Sequence, residues 1–194
     1  MTFTALSVIQ PWPWAILRPD VMDPAARTVL QAERQIKDCE NREWETPVRG
    51  WVLLHASSTR PAKWDYKAAQ LFAAKRGVEL PPLYMRESLP YGAVVGAVRV
   101  DDCRWGYRSP WYTGPRAFVF GVAVPFAAPV PCAGAPRFFQ LPQDAGASVG
   151  GAELAQRLAE AIAGAGLARA FRLTTEDGGR PAAQRVDRED FRLQ

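Results

Sequence analysis

Short segments rich in Val, Ile, Leu and Phe recur along the first 142 residues, and this pattern predicts a series of β-strands. Gly96 and Gly121 interrupt two of these segments, and a glycine within a strand typically marks a bulge or a tight bend. Such bends allow a small barrel to curve. The predicted strands are 4–10, 37–44, 50–57, 92–103 and 116–124, followed by an irregular return over 125–142 that ends in one more short strand.

Helical periodicity is clearest over residues 61–76. The apolar positions recur at i, i+4, i+7 and i+8, the spacing of one face of an amphipathic helix. We therefore predict a helix there with one apolar face. The residues of that face are Trp64, Ala68, Leu71 and Phe72.

Two less regular segments precede this helix. Residues 11–17 contain two prolines that suit a turn opening a short helix, whose Trp14, Ile16 and Leu17 would cover the core. Residues 18–35 contain two more prolines and no clean period. We therefore predict an irregular insertion there, with room for a short helix.

The composition changes after residue 142. Residues 143–151, with the sequence QDAGASVGG, predict a flexible spacer. Leu154, Leu158 and Ile162 then follow one another at four-residue steps, which predicts an amphipathic helix over 152–168. The charged and core-poor residues beyond it predict a mobile tail.

These elements divide the chain into a domain over 1–142 and a segment over 143–194 that holds the linker, the helix and the tail. Several short strands interrupted by two or three helices predict an α+β fold. We expect a small mixed or antiparallel β-barrel flanked by helices, with a C-terminal helical appendage.

Composition and charge narrow the function only slightly. Hydrophobic residues make up 48% and aromatic residues 11% of the chain, as in a globular protein with a substantial core. The formal net charge is +4 and the sequence pI is about 9.2. A basic balance permits a polyanionic partner such as nucleic acid, but it does not require one.

The three cysteines, Cys39, Cys103 and Cys132, lie far apart, and the chain has one histidine. A zinc site with four Cys or His ligands is therefore not expected, and no other metal or cofactor is implied. An odd number of thiols without a signal peptide predicts the cytoplasm. No apolar run approaches the roughly 18–20 residues that span a bilayer, so we expect no membrane association.

The stretch IKDCENREW, residues 36–44, places a concentration of charge just before the apolar strand at 50–57. Side chains alternate along a strand, so Glu40 and Arg42 share one face, and Lys37 joins them if the chain turns before the strand begins. Such a cluster can hold a phosphate through its cations. Its carboxylate can accept from an exocyclic amine such as cytosine N4. The alternative is an ion-pair network that braces the barrel mouth.

Four blocks of sequence within residues 4–142 together resemble the ASCH domain family, a branch of the PUA-like barrels. In order, they are LSVIQPWPWAIL, KDCENREWETPVRGWVLLHAS, VVGAVRVDDC with SPWYTGPRAFVF, and PVPCAGAPRFFQLP. Lys37, Glu40 and Arg42 match the family signature G-x-K-x-x-E-x-R, whereas Gln35 occupies the glycine position. The resemblance implies a PUA-like barrel with a cleft lined by this motif, and a role with RNA or modified nucleosides.

Some members of this family are hydrolases that act on acetylated cytidine or on RNA. The amidohydrolases use a lysine, a threonine three residues later and a distant glutamate. Here Glu40 stands three residues after Lys37, and a carboxylate is a poor replacement for the threonine hydroxyl. It can instead act as a general base toward water. A ribonuclease would use His55 as the base, beside Ser57 and Lys37.

Several residues outside the motif complete the predicted cleft. Gln10 can read a base edge through its amide, and Trp12 can form a wall. Trp111 lies in the aromatic and arginine-rich loop 104–115 and is the best candidate for stacking on a base. His55 and Ser57 follow the apolar strand. The alternatives are a buried structural His55 and a loop that clamps the barrel end through its aromatic residues.

We therefore predict a protein that binds RNA, single-stranded nucleic acid or a nucleoside in one polar cleft. The first alternative is an enzyme that acts through Lys37, Glu40 and His55. The second is a protein-interaction module in which helix 152–168 docks a partner. The predicted ligand-binding residues are Gln10, Trp12, Lys37, Glu40, Arg42, His55, Ser57 and Trp111.

Overall fold

The structure, a computed structural model, describes residues 2–142 and 150–171. Most of the predicted spacer, 143–149, and the predicted mobile tail, 172–194, lie outside the described residues. The strands are β1 (Thr2–Val8), β2 (Cys39–Arg42), β3 (Gly50–Ala56), β4 (Ala93–Arg104), β5 (Arg116–Pro131) and β6 (Phe138–Pro142). The helices are α1 (Trp12–Leu17), α2 (Pro24–Ala32), α3 (Lys63–Ala74) and α4 (Gly151–Gly164), with a 3-10 helix over Leu83–Ser88.

A single sheet joins these strands in the order β2-β5-β4-β3-β1-β6. Strands β1 and β3 run parallel, and each other neighbouring pair is antiparallel. The sheet curls into a half-barrel with helices around it. The prediction of an α+β fold built on a barrel-like sheet is therefore confirmed.

The glycines that interrupt the apolar segments lie at irregularities of the β4–β5 ladder. The register shifts beside Gly96 and again opposite Gly121. A Cβ atom at Gly96 would lie 2.5 Å from the carbonyl oxygen of Val124, so a side chain there would force the two strands apart. Bulges of this kind increase the local twist and help a sheet to curl.

Strand β5 is longer than the sequence predicts. It runs through Pro125 and Pro129 to Pro131, where an irregular return was expected. Strand β2 pairs with only the first four residues of β5, 116–119, so the rest of β5 has no strand on that side within the described residues. Proline is tolerated on such an edge because its missing N–H breaks no ladder bond.

Alternate residues of the central strands enter two different cores, as the period of a strand requires. Phe3 and Leu53 belong to a core that α4 covers. Leu6 lies three residues after Phe3, and Leu54 lies one residue after Leu53, so both point to the opposite face. They belong to a core that α1 covers. We call these two sides of the sheet the α4 face and the α1 face.

Helix α4 is part of the main core. Leu158 and Ile162 are buried, and the helix contacts β5 and β6. The predicted apolar stripe is therefore correct, but the sheet already covers it. The apolar face of α4 packs against the same sheet as the rest of the fold, through β5 and β6.

Helix α3 buries a different face from the predicted one. Trp64 is 72% exposed and Leu71 is 68% exposed, whereas Tyr66, Ala69 and Ala73 are buried. Ala69 and Ala73 belong to a third core cluster, which also contains Cys39 and Trp111. Because their side chains are small, the helix can approach this cluster closely, and they take the inner positions although each buries little apolar area. The prediction of the buried face is therefore wrong for Trp64, Ala68 and Leu71, which are exposed, whereas Phe72 is half-buried against this core.

Arg27 attaches the 18–35 insertion to the rest of the fold. One guanidinium nitrogen donates to the carbonyl oxygens of Leu17, Arg18 and Val21, at 2.6, 3.1 and 3.0 Å. The other donates to the carbonyl oxygen of Ala123 in β5, at 2.8 Å. Helix α2 itself buries no residue, so this polar anchor substitutes for an apolar contact face.

Among the helices of residues 2–142 and 150–171, none combines the length and the apolar composition that crossing a membrane requires.

Candidate ligand-binding cleft

A cleft of about 640 Å³ opens between the start of α1, strand β2 and helix α3. This volume lies within the range of about 300–1,000 Å³ that small-molecule sites usually have. Charged side chains cluster on the side of β2, whereas the opposite wall is mainly apolar, with Asp65 among its residues. The residues that line it include Gln10, Trp12, Lys37, Glu40, Asn41, Arg42, Asp65, Ala68, Phe72 and Thr113.

Lys37, Glu40 and Arg42, which we call the cleft triad, meet on the polar side. The Nζ atom of Lys37 lies 2.8 Å from Oε2 of Glu40, and Nη2 of Arg42 lies 3.4 Å from Oε1. Lys37 is 3% exposed and Glu40 is 7% exposed. Because buried charges are costly unless they are paired, the two cations and the carboxylate stabilise one another's burial.

The chain turn that the sequence analysis required lies just before β2. The predicted strand over 37–44 is reduced to Cys39–Arg42, and Lys37 precedes it. The backbone N–H of Lys37 donates to the carbonyl oxygen of Ala15 at 3.0 Å, which fixes the entry to the strand. Lys37 therefore reaches Glu40 from outside the strand, and its ammonium also donates to the carbonyl oxygen of Cys39.

The loop before this turn accommodates Gln35 without a left-handed backbone. The positive φ of 58° falls one residue earlier, at Arg34. The N–H of Gln35 donates to the carbonyl oxygen of Leu30 at 2.7 Å, and its own carbonyl oxygen accepts from Arg18 at 3.0 Å. The absence of the family glycine at this position is therefore compatible with the turn that places Lys37.

The apolar side of the cleft is formed by two aromatic rings and one face of α3. Trp12 and Phe72 are in edge-to-face contact, with ring centroids 5.9 Å apart. Lys37 Nζ lies 5.6 Å from the Trp12 ring centroid, so Trp12 borders both the apolar and the charged side. Trp12 therefore takes the wall position that the sequence analysis assigned to it.

Gln10 lines the cleft and is 2% exposed. Its side-chain nitrogen donates to the carbonyl oxygen of Pro90 at 3.0 Å. Its oxygen has no hydrogen-bond partner within residues 2–142 and 150–171, and the same holds for Nε of Arg42. Buried polar atoms without a partner are rare in proteins, and these two belong to residues that line one cleft.

His55 does not line the cleft. Strand alternation places it with Leu53 on the α4 face, where its Nδ1 lies 3.1 Å from Oγ of Ser7 and its Nε2 lies 3.2 Å from the carbonyl oxygen of Cys132. The ring also meets Phe139 edge to face at 5.5 Å. The prediction of His55 as a cleft residue is therefore wrong, and so is the catalytic grouping of His55 with Lys37 and Glu40.

Burial lowers the pKa of His55, and the bond to the carbonyl oxygen of Cys132 opposes this effect. A neutral imidazole satisfies both contacts if Nε2–H donates to Cys132 and Nδ1 accepts from the Ser7 hydroxyl. The single histidine is thus a hydrogen-bonded core residue, one of the alternatives that the sequence left open.

Trp111 also lies away from the ligand space. It is 0% exposed, and its indole N–H donates to the carbonyl oxygen of Arg34 at 2.9 Å. A base cannot stack on a ring that the protein already encloses, so the prediction of Trp111 as a stacking platform is wrong. The ring instead packs beside Phe72, 6.1 Å between centroids, and backs the apolar wall of the cleft.

Ser57 lies next to the rim of the cleft but does not line it. Its hydroxyl accepts from the N–H of Thr59 at 3.1 Å, which shapes the turn that leads toward α3. Ser57 is not among the lining residues, whereas Thr59 is. The predicted role for Ser57 as a ligand contact is therefore corrected to one in the adjoining turn.

Several lining residues were not predicted from the sequence. Asn41 lies within the motif, yet its amide holds the loop beyond β4: its Nδ2 donates to the carbonyl oxygen of Trp111 and its Oδ1 accepts from the N–H of Thr113, both at 3.0 Å. Phe72 and Asp65 come from α3. The helix spacing of Asp65, Ala68 and Phe72 was a signal that this face borders one common space.

The cysteines are unpaired thiols, and burial raises the pKa of Cys39 to about 12. Within the residues that the structure describes, no three His, Cys, Asp or Glu side chains come together as metal ligands would.

No protein-family model matches the chain, and no curated protein matches it. The resemblance to ASCH domains therefore stays a prediction that depends on the motifs quoted above.

Proposed function

We propose that this protein binds RNA, or a nucleobase or nucleoside presented by it, in the cleft, and that its fold is a PUA-like barrel of the ASCH type. The observation that supports this proposal is the meeting of the cleft triad with an apolar wall around one space of about 640 Å³. A flat ring with polar edges needs both kinds of surface. Bases that proteins read in single strands are splayed out of the stack and held in this way.

The apolar wall suits the faces of a base. Trp12, Phe72 and Ala68 offer aromatic and aliphatic surface, and stacking of a base on an aromatic side chain contributes about 1–3 kcal/mol. Trp12 takes the place that Trp111 cannot fill. Because every base has two apolar faces, this wall favours a base over an aliphatic ligand without selecting one base.

The polar side suits the edges of a base and a phosphate. The cleft triad has a net charge of +1, from two cations and one carboxylate. Arg42 is 28% exposed at its side chain, so part of its guanidinium remains accessible. A guanidinium at a cleft mouth favours anionic ligands such as phosphates. This charge agrees with the basic balance of the whole chain.

A binding experiment with a matched pair of double variants tests the proposal. Lys37→Met with Glu40→Leu removes a buried ion pair from the cleft, and replacing both partners by apolar residues is often neutral for stability. Arg99→Met with Asp101→Leu removes a half-exposed pair, 2.7 Å apart, that does not line the cleft. Isothermal titration with nucleosides and short RNA oligonucleotides then compares both variants with the wild type.

We expect the cleft double variant to bind at least about tenfold more weakly, because a hydrogen bond to a charged group contributes about 1.5–3 kcal/mol. The Arg99 and Asp101 variant should bind as the wild type does. Equal weakening in the two variants, or no binding of any nucleoside or oligonucleotide to the wild type, would contradict the proposal.

A further inference from the structure

The cleft contains one hydrogen-bond acceptor and one donor that the protein itself leaves without partners. Within the described part of the chain, no atom pairs with Oε1 of Gln10 or with Nε of Arg42. Both atoms are buried, and both residues line the cleft. A buried polar atom that stays unpaired weakens a fold, so an unpaired acceptor and an unpaired donor in one binding space suggest a ligand that completes them.

The orientation of the Gln10 amide is fixed by its neighbour. The carbonyl oxygen of Pro90 can only accept a hydrogen bond, so the amide nitrogen must face it, as it does at 3.0 Å. The amide oxygen is then the atom left without a partner. The Gln10 residue is 2% exposed, so this oxygen is largely removed from bulk solvent.

The Arg42 guanidinium is held in a similar way. Its Nη2 donates to the carbonyl oxygen of Ser7 at 2.9 Å and lies 3.4 Å from Oε1 of Glu40. These contacts fix the plane of the fork and leave the Nε–H as a donor of known direction. Arginine has donors only, so the partner that satisfies this atom must be a hydrogen-bond acceptor.

We propose that the cleft reads a ligand edge on which an N–H donor stands beside a hydrogen-bond acceptor. The N–H donates to Oε1 of Gln10, and the acceptor receives the Nε–H of Arg42. This inference rests on the proposed function and names its ligand class, a neutral heterocycle with an unsubstituted amide or amidine edge. The N3–H and carbonyl of uracil form such an edge, as do the amino group and ring nitrogen of cytosine or adenine.

A set of matched ligands tests this inference on the unaltered protein. Each pair consists of a nucleoside and the analogue in which methyl groups replace every N–H of that edge. The pairs are uridine with 3-methyluridine, cytidine with N4,N4-dimethylcytidine, and adenosine with N6,N6-dimethyladenosine. Since only the ligand changes, no effect on folding can hide the result.

We expect the N–H form of at least one pair to bind about 10- to 100-fold more tightly, the effect of leaving a buried acceptor unpaired. 5-Methyluridine is the control for size, because its methyl group lies away from the N–H edge. Its affinity should stay within about threefold of that of uridine, as one methyl group in an apolar site changes binding only slightly. Equal binding within all three pairs would overturn the inference.

A variant of Gln10 tests whether its Oε1 atom causes the difference in affinity between a nucleoside and its methylated analogue. Gln10→Met removes the acceptor at similar volume, and the ratio of affinities within the discriminating pair should fall to near one. Gln70→Met is the matched control, because the Gln70 side chain donates to the carbonyl oxygen of Pro81 at 3.1 Å but lies outside the cleft. It should keep the wild-type ratio. An unchanged ratio in folded Gln10→Met would contradict the role of Gln10.

The outcomes also separate this inference from the proposed function. If nucleosides bind but methylation of the edge has no effect, the proposed function stands and the edge-reading inference fails. If no nucleoside or oligonucleotide binds the wild-type protein, both fail together.

Discussion

The cleft triad and His55 both place ionisable side chains inside the protein, yet their surroundings differ. The triad lines a space of about 640 Å³, and two buried polar atoms lack partners within the described residues: Nε of Arg42 in the triad and Oε1 of Gln10. His55 is 1% exposed, and both of its ring nitrogens have partners from the protein. One group borders room for a ligand, whereas the other is complete without one.

Ser7 is the residue on which the two groups meet. Its carbonyl oxygen accepts from Arg42 at 2.9 Å, and its hydroxyl lies 3.1 Å from Nδ1 of His55. The two groups are therefore neighbours in the fold, one bound to the main chain of Ser7 and the other to its side chain. Both groups are buried and ionisable. They differ in whether every buried polar atom has a hydrogen-bond partner among the described residues.

The largest expected effect is on the stability of the cleft triad. Glu40→Leu leaves Lys37 buried without its main counterion, so the free energy of unfolding should fall by about 3–5 kcal/mol. Urea denaturation measures this change. Glu45→Leu is the control, because Glu45 pairs with Arg116 at 3.0 Å but is 66% exposed, and it should change stability by less than about 1 kcal/mol. Similar losses in the two variants would show that the triad is not a buried network.

His55→Leu should separate stability from binding. The free energy of unfolding should fall by about 1–3 kcal/mol, because the Ser7 hydroxyl and the Cys132 carbonyl oxygen each lose a partner. The dissociation constant for any ligand of the cleft should stay within about twofold of the wild-type value, because His55 does not line that space. A tenfold weakening with the fold intact would place His55 in the binding machinery after all.

The pH dependence of stability should carry a signature of His55. Burial lowers the pKa of His55 in the folded protein, whereas the unfolded chain binds the proton near its ordinary value of 6.5. Protonation therefore favours unfolding. The stability that neutral His55 contributes should be complete above about pH 6.5 and should fall as the pH drops toward the folded pKa, by at most about 1.4 kcal/mol per pH unit.

Urea midpoints at pH 7.5, 6.5 and 5.5 for the wild type and His55→Leu measure this slope. The stability difference between the two proteins should narrow as the pH falls, since only the wild type loses the contribution of neutral histidine. A difference that stays constant over this interval would mean that the pKa of His55 is the same in the folded and unfolded states.

The smallest expected effect concerns α3 beside the cleft. Trp64→Ala should change the free energy of unfolding by less than about 0.5 kcal/mol, because Trp64 is 72% exposed. Tyr66→Ala, two residues on, should cost about 3–5 kcal/mol as a buried aromatic side chain. Thermal melts of both variants compare them. A large loss for Trp64→Ala would mean that this side chain packs against the rest of the protein.

The sequence was sufficient to predict the cleft triad because its members lie within six residues. Local spacing determines which of them share a strand face, and one turn brings in the third. The same local logic predicted the β-strands, the bulges at Gly96 and Gly121, and the apolar stripe of α4. These features depend on residues close together in the chain.

The failures concern long-range packing. The sequence around His55 does not indicate whether its face of the sheet is covered. His55 is a core residue because α4 and residues 132–139 pack over that face. From the sequence, Trp111 was predicted to be an exposed stacking residue. In the structure its N–H donates to the carbonyl oxygen of Arg34, 77 residues away in the chain. In α3, the buried alanines contribute little to a hydrophobic pattern that Trp64 and Leu71 dominate. Which of these side chains are buried depends on contacts with residues distant in the sequence, and hydrophobic periodicity carries no information about such contacts.

Arg42 is held by the main-chain oxygen of residue 7, not by a side chain. Every amino acid presents this oxygen, so substitutions at position 7 can dismantle the histidine contact while the guanidinium keeps its anchor. The side chain at position 7 can therefore change without moving the guanidinium of Arg42 that lines the cleft.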